Sequence, residues 1–568
     1  MNDQKNFFVA IILSVAIIFG FYYFFPSTSQ KPSVQQPAQQ ASLPQPQAGQ
    51  VSQPQSREEA VKAAPRRLQI QSSSVKGSLN LEGAKFDDLT LIKYRETVDP
   101  KSPEIVLLSP ENSPQGYYAR FGWIPPGTTL SVPTEKTLWE TNGLNLTPQT
   151  PVTLKWDNGQ GLLFQQIISV DENYMFTVIQ KVTNSGTAAV SLAPQGFLAR
   201  RGEPKSSGFF ILHEGPVGVF NGKLNDPSYD DIAKTGVLQN PKSQGWFGLT
   251  DKYWLTALVP DPKAEIASSY TRQGTGENTL ISAIYQRDAL NLAPGQSIEV
   301  TDHFFAGAKV LRLLDGYEET LGINHFDLAV DFGWFYFLTK PIFYALEFLK
   351  GFLGNFGLAI LALTVLIKLA FLPLANKSYS SMGRMKALQP EIEKIRERYA
   401  EDRMKMNEKV MELYKKEKVN PMAGCLPMII QIPVFFALYK VLFVSIEMRQ
   451  APFYGWIHDL SAPDPTTVFN LFGLIPWDPP SFLMIGAWPL IMGGTMFLQQ
   501  KLSPPPADPT QAKMFLLMPI FFTYLLAQFP AGLVIYWAWN NALSIAQQWL
   551  IMKRSERKKA RHVKREDA

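Results

Sequence analysis

The chain has 568 residues and one cysteine, Cys425, so it can form no disulfide within itself, and any part folded in an oxidising compartment must be held by packing. Histidine is nearly as scarce. Its five copies are scattered without HExxH spacing, and His458-Asp459 reads as loop structure, not a catalytic pair. There is no Walker-type phosphate loop, which removes nucleotide hydrolysis as a source of work. The long apolar runs hold no aspartate or glutamate, so the carboxylates that couple protons or sodium to transport are missing. No motif calls for a cofactor. Charged residues make up 18%, the net charge is +5 and the mean hydropathy is −0.06, averages that suggest an ordinary globular protein. They conceal a segregation. Long uncharged blocks flank a polar, strand-like middle, and basic residues crowd beside the blocks, the pattern of a membrane protein carrying a large water-soluble insert.

Residues 1–25 contain the apolar run Phe7 to Phe25 behind Lys5, with no small-residue cleavage pattern. Its roughly 19 residues suffice to cross a ~30 Å hydrocarbon layer, which predicts an uncleaved signal anchor; a cleaved secretory signal is the other reading. Residues 26–56, rich in Pro, Gln and Ser, have too little apolar surface to offset their ordering entropy and read as a flexible tether. Over 57–325 short alternating segments predict an all-β sandwich. Val152, Leu154 and Trp156 alternate with polar neighbours, and Asn158-Gly159 then predicts a type I′ turn into Leu162 to Val170. Within 326–355, Pro341 is expected to open a short amphipathic helix with Ile342, Leu346 and Leu349 on one face. That helix either lies in the membrane surface or joins the sandwich to the next span.

Residues 356–552 hold five further apolar blocks: Phe356 to Leu374, Met422 to Phe443, Ser481 to Leu498, Met514 to Phe529 and Leu533 to Met552. With the anchor this predicts six transmembrane helices. Placing the amino terminus inside makes 375–421, 499–513 and the tail 553–568 cytoplasmic, and these are the segments richest in Lys and Arg. The sandwich is then extracytoplasmic. Within 375–421, Met385, Leu388, Ile392, Ile395 and Tyr399, followed by Met406, Val410 and Leu413, predict a helical hairpin with Pro390 kinking its first arm or starting a new helix. The hairpin is either a passive coiled coil or a recruiting surface. The basic tail either fixes topology or touches ribosomal RNA through its phosphates.

Lys368 sits near the middle of the first of these blocks, toward its cytoplasmic end, with no acidic partner in any span. Facing lipid it would cost ~2.5–3.5 kcal/mol on insertion scales, whereas a water-containing cavity removes most of that penalty. Thr364 lies one turn earlier, and Gln431, Asn541, Ser544 and Gln548 recur at helical spacing in other blocks, so that together they could line one wet groove. The alternative is that Lys368 snorkels to the interface and the amides glue helices together. A hydrated, positively charged groove would admit the polar or acidic tail of an incoming protein while its apolar segment slides into lipid. A secondary transporter is the main competing reading, since it too places a charge near the midplane, but no inverted repeats are seen. An enzyme acting on sugars through the sandwich is a second.

The string KVNPMAGCLPMIIQIPVFFALY, Lys418 to Tyr439, resembles the third-span signature of the YidC/Oxa/Alb family of membrane protein insertases. RQAPFYGWIHDLSAPDP, from Arg449, resembles the extracytoplasmic loop of that family, and FPAGLVIYW, from Phe529, its final turn and span. The anchor with a large insert is similar to the Gram-negative version, which implies an inner-membrane location and a periplasmic β-supersandwich similar to sugar-binding folds. The resemblance further implies no enzymatic activity, a hydrophilic groove open to cytoplasm and lipid, nascent membrane proteins as substrates, and the Sec translocon, the ribosome and the phospholipid bilayer as partners. Lys368 stands where the family more often has arginine, so positive charge is kept while the planar fork is lost. Thr364 falls on a substrate-contact position, and Trp537 where tyrosine is usual.

Overall fold

The computed structural model describes residues 55–64, 66–127, 129–204, 212–419, 426–477, 479–503 and 509–566. The anchor expected over 1–25, nearly all of the tether expected over 26–56, and Cys425 lie outside the described residues. The chain divides into two compact units, Met1–Glu96 with Lys101–Ala329, and Thr97–Pro100 with Val330–Ala568.

In the first unit some strands have one buried and one open face, whereas others, such as Gly215–Phe220, are buried throughout. Leu162–Val170 buries every second residue: Leu162, Phe164, Gln166, Ile168 and Val170. Its neighbour Met175–Asn184 pairs antiparallel with it on one side and with Ser297–Ala308 on the other, the middle of a nine-stranded sheet. An eleven-stranded sheet is built around Val190–Arg201, flanked by Tyr117–Ile124 and Leu280–Arg287. The two sheets meet through aromatic rings. Phe86 and Phe121 from one pack against Phe176 and Phe304 from the other, with Phe86 5.4 Å and Phe121 6.4 Å from Phe304 between ring centroids. Gln166, the polar member of a buried row, donates to the Phe121 carbonyl at 2.9 Å, so its amide nitrogen is satisfied in the core. Ion pairs Arg67–Asp87, Arg200–Asp251 and Arg287–Asp302 tie strands together. Burial pushes the Asp302 carboxyl above its ordinary value against the pull of Arg287.

The expected all-β reading needs correction in two places. Among the described residues three α-helices accompany the strands: α1 (Arg57–Ala63) precedes them, α2 (Tyr229–Thr235) lies between two of them and α3 (Leu311–Leu321) follows them. The first two begin at reciprocal capping boxes, Ser56 with Glu59 and Ser228 with Asp231. The third buries Leu311, Leu314 and Tyr317 at threefold spacing. The hairpin after Trp156 forms, but not as a two-residue turn. Asp157 pairs with Leu163, Gly159 alone of Asn158-Gly159 has positive φ, and the Asn158 side-chain oxygen accepts from the backbone of Gln160 and Leu162. Local capping by asparagine outweighs the I′ preference.

The second unit is helical: α4 (Tyr336–Leu353), α5 (Phe356–Ala370), α6 (Leu372–Ala387), α7 (Gln389–Arg398), α8 (Arg403–Lys416), α9 (Leu426–Val444), α10 (Ala487–Leu502), α11 (Pro509–Leu526) and α12 (Ala531–Glu566). Helix α4 starts five residues before Pro341, which lies inside it. Ile342 and Leu346 are buried as expected, but Phe337, Phe348 and Phe352 stand exposed, so apolar side chains occupy both faces. The block Phe356 to Leu374 is cut at Ala370, because Pro373 in the first turn of α6 cannot continue the ladder of α5. Lys368 therefore sits in the last turn of α5 and not near mid-helix. Pro390 begins a new helix, α7, and α7 packs on α8 with Ile392 and Val410 buried. Among the described residues no single helix is both long and apolar enough to cross a bilayer. The pair α4 and α5 meets that test together but is bent by 119°, and Gln431–Val444 and Lys513–Leu526 are shorter apolar segments.

Phe304→Ala is expected to destabilise the β-rich unit by about 3–5 kcal/mol, since it empties the centre of the ring cluster. The check is the urea midpoint of that unit's unfolding in the detergent-solubilised full chain.

Candidate functional site

Helix α12 packs against α5, α6, α9 and α10, and its polar residues reach those neighbours. Positions 537, 541, 544 and 548 fall within about 60° of one another around an ideal helix, which makes one stripe. Along that stripe Asn541, Ser544 and Gln548 are buried and Trp537 half-buried.

Lys368 is half-buried and donates from Nζ to Ser544 Oγ at 2.8 Å. Ser544 in turn donates to the carbonyl of Asn540 at 2.8 Å, and the Tyr379 hydroxyl of α6 also engages Ser544. Burial pushes the Tyr379 phenol up from its ordinary value, so it stays neutral and available as a donor. The last-turn carbonyls of α5 favour the ammonium of Lys368 further. Among the described residues no carboxylate pairs with Lys368. The contrast is Lys440 of α9, the other lysine inside the apolar blocks, which pairs with Asp331 at 2.9 Å.

The remaining candidates find separate partners. Gln431 of α9 donates to the Tyr536 hydroxyl of α12. Asn541 donates to Thr495 Oγ1 at 3.4 Å and Gln548 to the Leu502 carbonyl at 3.1 Å, both on α10. Thr364 is buried one turn before Lys368, with its hydroxyl bound to the Ile360 carbonyl of its own helix at 2.6 Å. Trp537 lies in an aromatic and aliphatic cluster, its ring 4.5 Å from Phe435 and 6.2 Å from Phe522 between centroids, with Met492, Leu526 and Val534 nearby. The structure thus brings Lys368 and Ser544 together, while Gln431, Asn541 and Gln548 tie pairs of helices. Tyr379, Tyr536 and Asn540 were absent from the sequence reading. Asn540 and Tyr536 lie on the α12 turns already singled out and could have been found by widening the stripe. Tyr379 lies across a helix break and carries no such signal.

Comparison with known proteins decides the family. Residues 67–345 match the family model of the YidC periplasmic domain, and residues 348–559 that of the 60Kd inner membrane protein. The membrane protein insertase YidC of Methylobacterium radiotolerans is 48% identical over 98% of this chain and 95% of its own length. That of Bradyrhizobium diazoefficiens is 47% identical over 98% of this chain and 97% of its own. The chain belongs to the YidC family of membrane protein insertases. A solved structure of an active YidC insertase with its first transmembrane domain resolved aligns at 19% identity and a TM-score of 0.36, covering 85% of this chain and 92% of that one. As a YidC-family member the chain is a membrane protein whose β-rich unit is the periplasmic domain. The relatives are named as insertases and not as enzymes of metabolism.

Ser544→Ala is expected to lower the stability of the helical unit by about 1–3 kcal/mol, because Lys368 and Tyr379 both lose their buried acceptor. Thr364→Val, which removes only a bond within its own helix, is expected to be nearly neutral. Thermal midpoints of the two variants in detergent would show the difference.

Proposed function

We propose that the chain inserts nascent membrane proteins by receiving their polar tails beside Lys368, at the cytoplasmic side of the bundle. The observation that supports this most directly is the pairing of Lys368 with a neutral hydroxyl. A lysine ammonium has three donors, and Ser544 takes one. Two remain for an incoming carboxylate. A charge pair at 4 Å with an effective dielectric near 20 gains about 4 kcal/mol, enough to offset part of the transient desolvation of an acidic tail. Thr364, Gln431, Trp537, Asn541, Ser544 and Gln548 form the walls of this groove in the proposal, Trp537 by offering an apolar ring to the segment that moves into lipid.

The topology that goes with it has six crossings, both termini in the cytoplasm, the hairpin α6 to α8 on the cytoplasmic side and the sandwich in the periplasm. It is supported by the basic residues of 375–421, 499–513 and the tail. Neither nucleotide nor ion gradient enters the scheme. The Sec translocon and, through the basic end of α12, the ribosome are proposed partners, the latter by attraction of its Lys and Arg residues to phosphate.

Lys368→Glu is expected to impair insertion of substrates with acidic translocated tails several-fold more than Lys368→Arg does. Reconstituted vesicles given matched substrates with acidic or neutral tails would measure this. Equal activity of the two variants would sink the electrostatic account.

A further inference from the structure

Between α9 and α10 the chain forms a pinned loop, residues 468–485. Its base is closed by Thr467 Oγ1 donating to the Leu483 carbonyl at 2.8 Å and by the Val468 N–H bound to the Ile485 carbonyl at 3.1 Å. Gln528, after α11, donates to the Ser481 carbonyl at 2.9 Å. Below the loop the buried Asp464 carboxylate accepts from the Trp456 indole, the Thr466 backbone and hydroxyl, and the Trp488 N–H at the start of α10. Inside the loop the Phe472 and Ile475 N–H groups bond the carbonyls of Thr467 and Asn470. Several of the loop's backbone donors are thus met internally.

The side chains do the opposite. Leu471, Phe472, Ile475, Trp477 and Phe482 are all exposed, and Leu474 is 83% exposed. Leu471 and Phe472 also hold φ of 50° and 57°, a conformation that side chains with a Cβ rarely adopt, and it turns their apolar groups outward. Asp478 is the one charged residue between Asp464 and Lys501. A contiguous apolar patch on a rigidly tied loop marks an interaction surface.

We propose that the tip of this loop is embedded in the bilayer, with its side chains among the acyl chains of the extracytoplasmic leaflet and its backbone at headgroup level. Two observations favour lipid over a protein partner. The adjoining helices also carry exposed apolar residues, Leu490 and Ile491 of α10 and Ile520 and Phe521 of α11, as does a surface that a membrane protein turns to hydrocarbon. With Asp478 as the one charged residue between Asp464 and Lys501, the stretch is also nearly free of the charges by which the rims of protein interfaces are specified. Trp477 suits the boundary between headgroups and acyl chains. The loop would anchor the start of α10 and the end of α11 at fixed depth. This inference rests on α9 to α11 lying in the membrane with 468–485 on the extracytoplasmic side.

The test is spin labelling of the full chain in vesicles of phosphatidylethanolamine and phosphatidylglycerol. Cys425→Ser provides the background, with Leu474→Cys, Phe482→Cys and, as a control on α11, Ile520→Cys. The expected result is that oxygen relaxes the labels at 474, 482 and 520 more strongly than a water-soluble nickel chelate does. Nickel dominance at 474 and 482 with oxygen dominance at 520 overturns the embedded loop while leaving the spans in place. Nickel dominance at all three overturns both. Labels at 474 and 482 that neither reagent reaches indicate cover by a second copy of the chain and likewise overturn it.

Discussion

A polar side chain buried among apolar helices must find its partner within the protein, and in the helical unit α12 answers that constraint for four neighbours at once. Tyr536 meets α9, Asn541 and Gln548 meet α10, and Ser544 meets Lys368 of α5 and Tyr379 of α6. Trp539 adds an indole bond of 3.2 Å to the Leu361 carbonyl of α5. The helix therefore acts as the post on which the others are hung. Its polar residues fix rotation about the axis, which apolar packing alone specifies loosely.

Against that frame Lys368 is an exception by charge. The amides of Gln431, Asn541 and Gln548 each donate to a neutral group on a neighbouring helix, whereas the ammonium has a serine where Lys440 has an aspartate. A bundle selected for stability alone would have little reason to keep a cation in that setting. Under the proposed function, a substrate tail completes the pairing and then leaves, and weak, neutral partnering at rest would make such a site reusable.

The sequence made much of this legible, for physical reasons that can be named. Alternation over Val152 to Trp156 announced a half-buried strand, because a period of two admits no other regular structure at that length. Pro390 announced the start of α7 by its fixed φ and missing N–H. Pro373 carries the same signal inside a long apolar run, so the block reads through to Leu374 and sets Lys368 near its middle instead of in the last turn of α5. Capping boxes at Ser56 and Ser228 were equally readable and were masked by the surrounding strand pattern. Spacing on α12 identified a polar stripe but not the helix that each residue faces. That depends on how helices pack, which a single chain's periodicity does not encode. For the same reason Thr364 and Trp537 looked alike as groove candidates, although one bonds its own backbone and the other joins an apolar cluster.

Helix α12 runs unbroken for 36 residues. At the rise of an ideal helix that is roughly 54 Å, nearly twice the hydrocarbon thickness of about 30 Å. The same rod thus carries Ser544 in its bonded stripe and the lysines and arginines beyond Lys553 at its far end. With no break between them, the basic end and the hydroxyl that bonds Lys368 belong to one stiff element, so a tilt of either end displaces the other.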